Sequence, residues 1–194
     1  MFGMVKELLG ETNEDKFVKL ITRIEKYEGI SDNMEIEIAK YLEQVSDSHL
    51  SEETKAKIRA MLGQISEIES IDDSYYNISR TLSRRIKGEE DFIPSQYEHM
   101  HQMMELTDQA LTQMNITLVG HKVDNDANLS FNIENEINNY RNQLKSQNIN
   151  DVNNHLYTYA IGTMYMDIVQ ECEKLGDYVV NVVEARMGVR QHEA

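Results

Sequence analysis

The stretch Glu173-Lys-Leu-Gly-Asp177-Tyr-Val-Val-Asn181 follows the pattern Glu-x-x-x-Asp-x-x-x-Asn. The same pattern occurs far upstream, in Glu69-Ser-Ile-Asp-Asp73-Ser-Tyr-Tyr-Asn77. Residues four apart lie on one face of an α-helix, so each copy places two carboxylates and an amide in a single polar stripe. Such a stripe can bind a cation, or it can hold neighbouring helices in register.

The apolar residues around both stripes recur at helical spacing along almost the whole chain. No strand pattern competes with this spacing, so the fold class is all-α, and long helices with short connections favour an antiparallel bundle. The Asn-rich segment 146–155 is expected to be a loop by composition. The predicted helices cover residues 1–9, about 14–47, about 52–86, 95–119, about 126–144 and a last segment that ends near Met187.

The composition limits the classes of partner and compartment. The chain has 194 residues and a net charge of -15, so nucleic acid and anionic lipid are not expected partners. Its one cysteine, Cys172, allows no intrachain disulfide and fits a reducing compartment. No apolar run approaches the ~20 residues of a membrane span. We therefore expect a cytoplasmic chain that does not insert into the membrane.

The two stripes belong to a longer internal repeat. Glu28-Gly-Ile-Ser-Asp32 is another Glu-x-x-x-Asp, and Glu134-Asn-Glu-Ile-Asn138 follows it at an offset of 106, close to the offset of 104 between the two larger motifs. A second alignment of the two copies, at an offset of 99 residues, differs from this one by two helical turns. We prefer the offset of 106, because it agrees with the offset of 104 between the larger motifs. The repeat predicts two units, residues 1–92 and 93–194, with the first helix of the first unit truncated.

Antiparallel pairing predicts how the stripes meet. The midpoint between the Glu28/Asp32 and Glu69/Asp73 pairs falls near residue 50, at an evident turn, so these four carboxylates should converge between facing helices. In the second unit the midpoint falls near residue 155, whereas the turn signals lie nearer 151. This difference predicts a long connection, about 147–160, with the last helix beginning near Gly162.

Converging carboxylates repel one another unless a cation is present, and their oxygens suit hard or borderline ions such as Mg, Ca, Mn, Fe or Zn. The second stripe offers one charge fewer because Asn138 stands in the place of an aspartate. The alternative is that these side chains order the helices by hydrogen bonding or lie on an exposed acidic face. The candidate metal ligands are Glu28, Asp32, Glu69, Asp73, Glu134, Asn138, Glu173 and Asp177.

The duplicated motif resembles the PhoU family of phosphate-uptake regulators, and more closely the PhoU-like C-terminal cytoplasmic domain of bacterial sodium/phosphate cotransporters. Residues 24–42, 57–80, 133–144 and 162–184 carry the resemblance. It implies two three-helix bundles side by side, with divalent metal or iron on the carboxylate motifs. Asn138 departs from the acidic pattern and puts a complete second cluster in doubt.

The resemblance implies that this chain is a regulatory protein and not an enzyme. The expected function is the regulation of phosphate uptake by a sodium-dependent phosphate transporter at the cytoplasmic face of the inner membrane. The expected partners are the membrane transporter portion of the same protein and a second copy of the chain in a homodimer. A metal-free helical scaffold that docks a transporter or a kinase is the alternative function.

Overall fold

The computed structural model describes residues 1–46, 50–88, 90–120 and 123–191, with only the backbone described at 123–126 and 189–191. All regular structure in these segments is α-helical, which confirms the predicted fold class. The helices are α1 (Phe2–Gly10), α2 (Glu14–Ser46), α3 (Glu52–Lys87), α4 (Pro94–Val119), α5 (Val123–Asn153) and α6 (Tyr159–Gln191).

The helix ends follow local chemistry that can be read from the sequence. At the start of α3, the Ser51 hydroxyl accepts the Thr54 backbone N–H at 3.2 Å, which satisfies a donor that the helix leaves free. Pro94 occupies the first turn of α4, where a missing N–H costs nothing. Arginine and lysine fill the last turn of α3, where the negative end of the helix dipole favours cations.

The three long helices α4, α5 and α6 pack against one another and form the second bundle. The first bundle consists of the antiparallel pair α2 and α3 with the nine-residue α1. α3 and α6 form the most extensive contact between helices, and they run antiparallel, because Arg84 pairs with Asp167 at one end and Asn181 donates to Glu67 at the other. The predicted boundary at 92/93 falls in the connection between α3 and α4, while one hydrophobic core runs through both bundles.

α1 packs over only one end of the first bundle. Its first residue, Phe2, stacks on Tyr75 of α3 with ring centroids 5.4 Å apart. About one turn further along the helix, Lys6 forms a salt bridge to Asp108 of α4 at 2.8 Å. Four apolar residues of α1 are buried, namely Phe2, Val5, Leu8 and Leu9. This short helix therefore fixes the first bundle to α4, and it covers α2 and α3 only near their ends.

The predicted loop at 146–155 and the predicted connection over 147–160 are wrong. α5 continues to Asn153, and only residues 154–158 separate it from α6. Packing outweighs the weak helix propensity of the asparagines. A Cβ on Gly162 would lie 2.8 Å from Val152 and 3.0 Å from Asn148, so the missing side chain lets α6 approach the last turns of α5. The turn itself places His155 at φ 58, where a glycine would be less strained.

None of the described helices is both long enough and apolar enough to cross a membrane. Cys172 is buried within the core and unpaired, as a cysteine that fills space in a helix should be.

Candidate metal centre

Three carboxylates of the first unit meet at the junction of α2 and α3. One oxygen from each of Glu28, Asp32 and Asp73 lies within 4.8 Å of the other two. Glu28 and Asp32 share one face of α2, one turn apart, and Asp73 faces them from α3. The antiparallel register deduced from the sequence thus agrees with the geometry of the first stripe.

Glu69, the fourth residue expected here, lies close to this group without joining it. Burial raises the pKa of the Glu69 carboxyl to about 7, and the charges of Asp73, Glu35 and Asp32 add to the effect. Burial also raises the pKa of Glu28 and of Asp73, in both cases reinforced by Asp32. Desolvation and mutual repulsion together favour uptake of a positive charge at this position, whether a proton or a metal cation.

Two acidic residues that sequence reasoning overlooked border the same group. Asp72, the neighbour of Asp73, has its pKa raised mainly by burial and lowered in part by a hydrogen bond from Ser31. Glu171 reaches the group from α6, and its charge raises the pKa of Asp73. Asp72 could have been suspected from the Asp72-Asp73 pair in the sequence. No local pattern links Glu171 to the stripe, because the contact depends on how the two bundles pack.

An arginine offsets part of the negative charge of the second stripe. The Arg141 guanidinium on α5 donates to the Glu173 carboxylate on α6 at 2.5 Å, and both side chains are largely buried. The sequence analysis missed Arg141, although it stands seven residues after Glu134 and three after Asn138, on the same face of the helix. A fixed cation between the two helices supplies the charge that a metal would otherwise bring.

The other residues of the second stripe also have partners within the protein. The Asn138 side-chain amide donates to the Glu134 carboxylate, which lowers the pKa of Glu134 against the larger effects of burial and of Asp177. Burial and Glu173 raise the pKa of Asp177, and Arg141 lowers it. Among the described residues, no three acidic, histidine or cysteine side chains of this stripe converge as those of the first stripe do.

The donor set of the first stripe fits a hard or borderline cation. Three oxygens within reach of one point can each supply one ligand, and water can complete the coordination of Mg, Mn or Fe. Neither a cysteine nor a histidine is part of the group, which disfavours a thiolate-type site. The second stripe, with an amide and an arginine among its members, fits a cation poorly.

The described helices define a class of fold, an all-helical arrangement of two antiparallel bundles. Solved structures with this fold include PhoU proteins. The chain shares its fold with PhoU from Streptococcus pneumoniae, a phosphate transport system regulatory protein, at a TM-score of 0.74 and 16% identity over 97% of this chain and 90% of that one. PhoU from Pseudomonas aeruginosa matches at a TM-score of 0.69 and 10% identity over 98% and 91% of the two chains.

At these identities the likeness establishes a PhoU-like fold. No protein-family model matches the sequence, and no curated protein matches it.

Proposed function

We propose that this chain is a regulatory PhoU-like domain that restrains phosphate uptake by a sodium-dependent phosphate transporter from the cytoplasmic side of the membrane. The PhoU-like fold supports this role, since one matched structure is a regulator of phosphate transport. The resemblance of segments 57–80 and 162–184 to the cytoplasmic domain of sodium/phosphate cotransporters favours that transporter as the partner.

We further propose that Glu28, Asp32 and Asp73 bind one divalent cation, either iron, zinc, manganese or magnesium, with Glu69 completing or stabilising the group. The convergence of three carboxylate oxygens within 4.8 Å is the single observation that carries this part. The cation would join α2 to α3 and so stabilise the hairpin, because it removes the repulsion that raises the pKa of Glu28 and Asp73.

The regulatory role is tested by sodium-dependent uptake of labelled phosphate in cells. Removing this chain should raise uptake when external phosphate is plentiful, and restoring the wild type should lower it again. If the cation matters for regulation, a chain carrying Glu28→Ala and Asp73→Ala should lower phosphate uptake less than the wild type does. Unchanged uptake in cells without the chain would contradict the proposed role.

Metal analysis of the purified protein tests the cation itself. The double variant Glu69→Ala/Asp73→Ala should lose the metal that the wild type retains after dialysis. The control is Glu134→Ala/Asp177→Ala, which removes two carboxylates of the second stripe without breaking the Arg141–Glu173 pair, and it should leave the metal content unchanged. A wild type that neither contains nor takes up a cation would refute the metal site.

A metal-free scaffold is the second candidate function, and Arg141 is the observation that favours it. The Arg141–Glu173 pair shows that an acidic stripe of this fold can be stabilised by a side chain alone. If both stripes only order helices, the melting temperature should not respond to EDTA or to added Mn, Fe or Zn. A rise in melting temperature on adding the cation would exclude this candidate for the first stripe.

A further inference from the structure

A polar cleft lies between α3 and α6, where the two bundles meet. Four residues of α3 line it at positions i, i+3, i+4 and i+7, and four residues of α6 line it with the same spacing. The charged members are Arg80 and Arg84 of α3 and Asp167, Glu171 and Lys174 of α6. With a volume of about 470 Å³, the cleft has room for a small polar ligand.

The two helices present these charged residues in matching register. α3 and α6 run antiparallel, and Arg84 pairs with Asp167 at 2.8 Å. One turn further along both helices, Arg80 therefore lies opposite Glu171. Lys174 follows Glu171 by nearly one more turn. Cations from both helices thus flank the position between Arg80 and Glu171.

The cleft has an excess of positive charge in a protein that is strongly acidic. Its lining contains three cations and two carboxylates, whereas the whole chain has a net charge of -15. A second cleft of the same volume, beside the connection between α3 and α4, is lined by four carboxylates and one arginine. The first cleft therefore departs from the charge of its surroundings, and its potential favours an anionic ligand.

Arg80 and Glu171 lie opposite each other, yet each keeps polar atoms without a partner among the described residues. The Arg80 guanidinium lies over the Tyr76 ring, 5.6 Å from its centroid, and forms no salt bridge with a described carboxylate. Glu171 accepts a hydrogen bond from Lys174 at 2.8 Å through Oε1, while its Oε2 is buried and has no hydrogen-bond partner. Leaving a buried acceptor unpaired is costly, so the site calls for a ligand that both accepts and donates hydrogen bonds.

We propose that the cleft binds inorganic phosphate as hydrogenphosphate, between Arg80 and Glu171. The unprotonated phosphate oxygens accept hydrogen bonds from Arg80, Arg84 and Lys174, and the single P–OH group donates to Oε2 of Glu171. Sulfate has no proton at neutral pH, so its oxygens would meet Oε2 as one acceptor meets another. A phosphate monoester, which is mostly a dianion without a P–OH group at neutral pH, is disfavoured for the same reason.

A phosphate ion in this position would connect the two bundles. Arg80 and Arg84 belong to the first bundle, while Glu171 and Lys174 belong to the second. The cleft would then sense the ion whose uptake the chain restrains. This sensing role rests on the proposed function, whereas phosphate binding does not, so binding to the purified chain and restraint of uptake in cells can fail independently.

Isothermal titration calorimetry of the whole chain with inorganic phosphate at pH 7.5 tests the proposal. The wild type should bind one phosphate, and it should bind sulfate and phosphoserine at least about tenfold more weakly. Arg80→Gln should weaken phosphate binding by at least about tenfold, because it removes a charge-assisted hydrogen bond. Arg23→Gln is the matched control. Arg23 is another exposed arginine without a salt bridge to a described residue, it lies on α2 away from the cleft, and its replacement should leave phosphate binding unchanged.

Glu171→Gln tests the discrimination between the two anions. The glutamine amide can donate to a sulfate oxygen, so the preference for phosphate over sulfate should disappear. If Glu171 only stabilised the helices, this ratio of affinities would not change.

A further variant tests whether phosphate binds through a cation at the first stripe. Glu28→Ala/Asp32→Ala removes two of the proposed metal ligands, neither of which lines the cleft, and it should still bind phosphate. Three results would each overturn the proposal: a wild type that does not bind phosphate or binds sulfate equally well, an Arg80→Gln variant with unchanged affinity, or loss of binding in Glu28→Ala/Asp32→Ala.

Discussion

At the scale of single residues, one carboxyl in the first stripe is poised to titrate near neutral pH. The pKa of Glu69 is about 7 in the folded chain, whereas its ordinary value is 4.5. The folded state therefore binds more protons than the unfolded state between these two values. It follows that the free energy of unfolding decreases as the pH rises through this range, when no metal is bound.

Replacing Glu69 with glutamine should remove this dependence on pH. In the metal-free protein, Glu69→Gln and the wild type should be equally stable near pH 4.5, and the variant should be more stable at pH 8 by on the order of 1–2 kcal/mol, after allowance for solvent screening. Urea denaturation at both pH values measures the difference. Glu184→Gln, at an exposed position of α6, is the control and should show no such divergence. If the free energy of unfolding changed equally with pH in the wild type and in Glu69→Gln, the expected titration would be contradicted.

Arg141 should contribute more to stability than the arginines that pair at the surface. Arg141→Ala would leave the largely buried Glu173 carboxylate without its cation, at a cost of about 2–4 kcal/mol. Arg84→Ala breaks a pair with Asp167 in which both side chains are more than one-third exposed, so its cost should stay below about 1 kcal/mol. Chemical denaturation of both variants measures the two costs. Equal losses in the free energy of unfolding would show that the Arg141–Glu173 salt bridge contributes no more than a surface pair.

At the scale of helices, the glycines differ sharply in the space that surrounds them. Gly162 lies where α6 approaches the end of α5, while Gly63 lies within α3 with nothing within 4 Å of an added Cβ. Gly162→Ala should destabilise the protein by about 1–3 kcal/mol, because the new methyl group would collide with Val152 and Asn148. Gly63→Ala should instead stabilise it by about 0.5–1 kcal/mol through helix propensity. Thermal melts of the two variants test the opposite signs.

The ends of a helix could be predicted where the local sequence carries a signal for them. Ser51 and Pro94 mark the starts of α3 and α4, and both starts were predicted within a residue. The end of α5 has neither a glycine nor a proline, so its length is set by packing against Gly162, which the sequence does not reveal. The register of the acidic pairs could be predicted because antiparallel helices meet at positions equally distant from their turn.

The candidate site could be predicted only where its residues lie on one face of one helix. Residues on one helix face, such as Glu28 and Asp32, can be grouped by spacing alone. Arg141 lies on the same helix face as Glu134 and Asn138, but an arginine is not part of the acidic and amide pattern that defines the stripe. The charge of Glu171, on α6 of the other bundle, raises the pKa of Asp73, and the packing of α3 against α6 that brings them near leaves no periodic trace in the sequence.

At the scale of the whole molecule, the two halves are alike in architecture and unlike in chemistry. Both bundles bring two polar, mainly acidic stripes face to face across an antiparallel helix pair. The first leaves three carboxylates together without a basic partner among them, while the second contains Arg141 and Asn138. Under the proposed metal site, one half of the PhoU-like fold would be held by a cation and the other is held by its own side chains.

The metal site of the first half is tested most directly by locating the cation. A crystal of the protein grown with Mn²⁺ should show an anomalous scattering peak bound by Glu28, Asp32 and Asp73, with oxygen ligands at about 2.0–2.6 Å. No peak is predicted between Glu134 and Asp177. Occupancy of the second stripe alone, or an empty first stripe in protein that demonstrably binds manganese, would contradict the assignment.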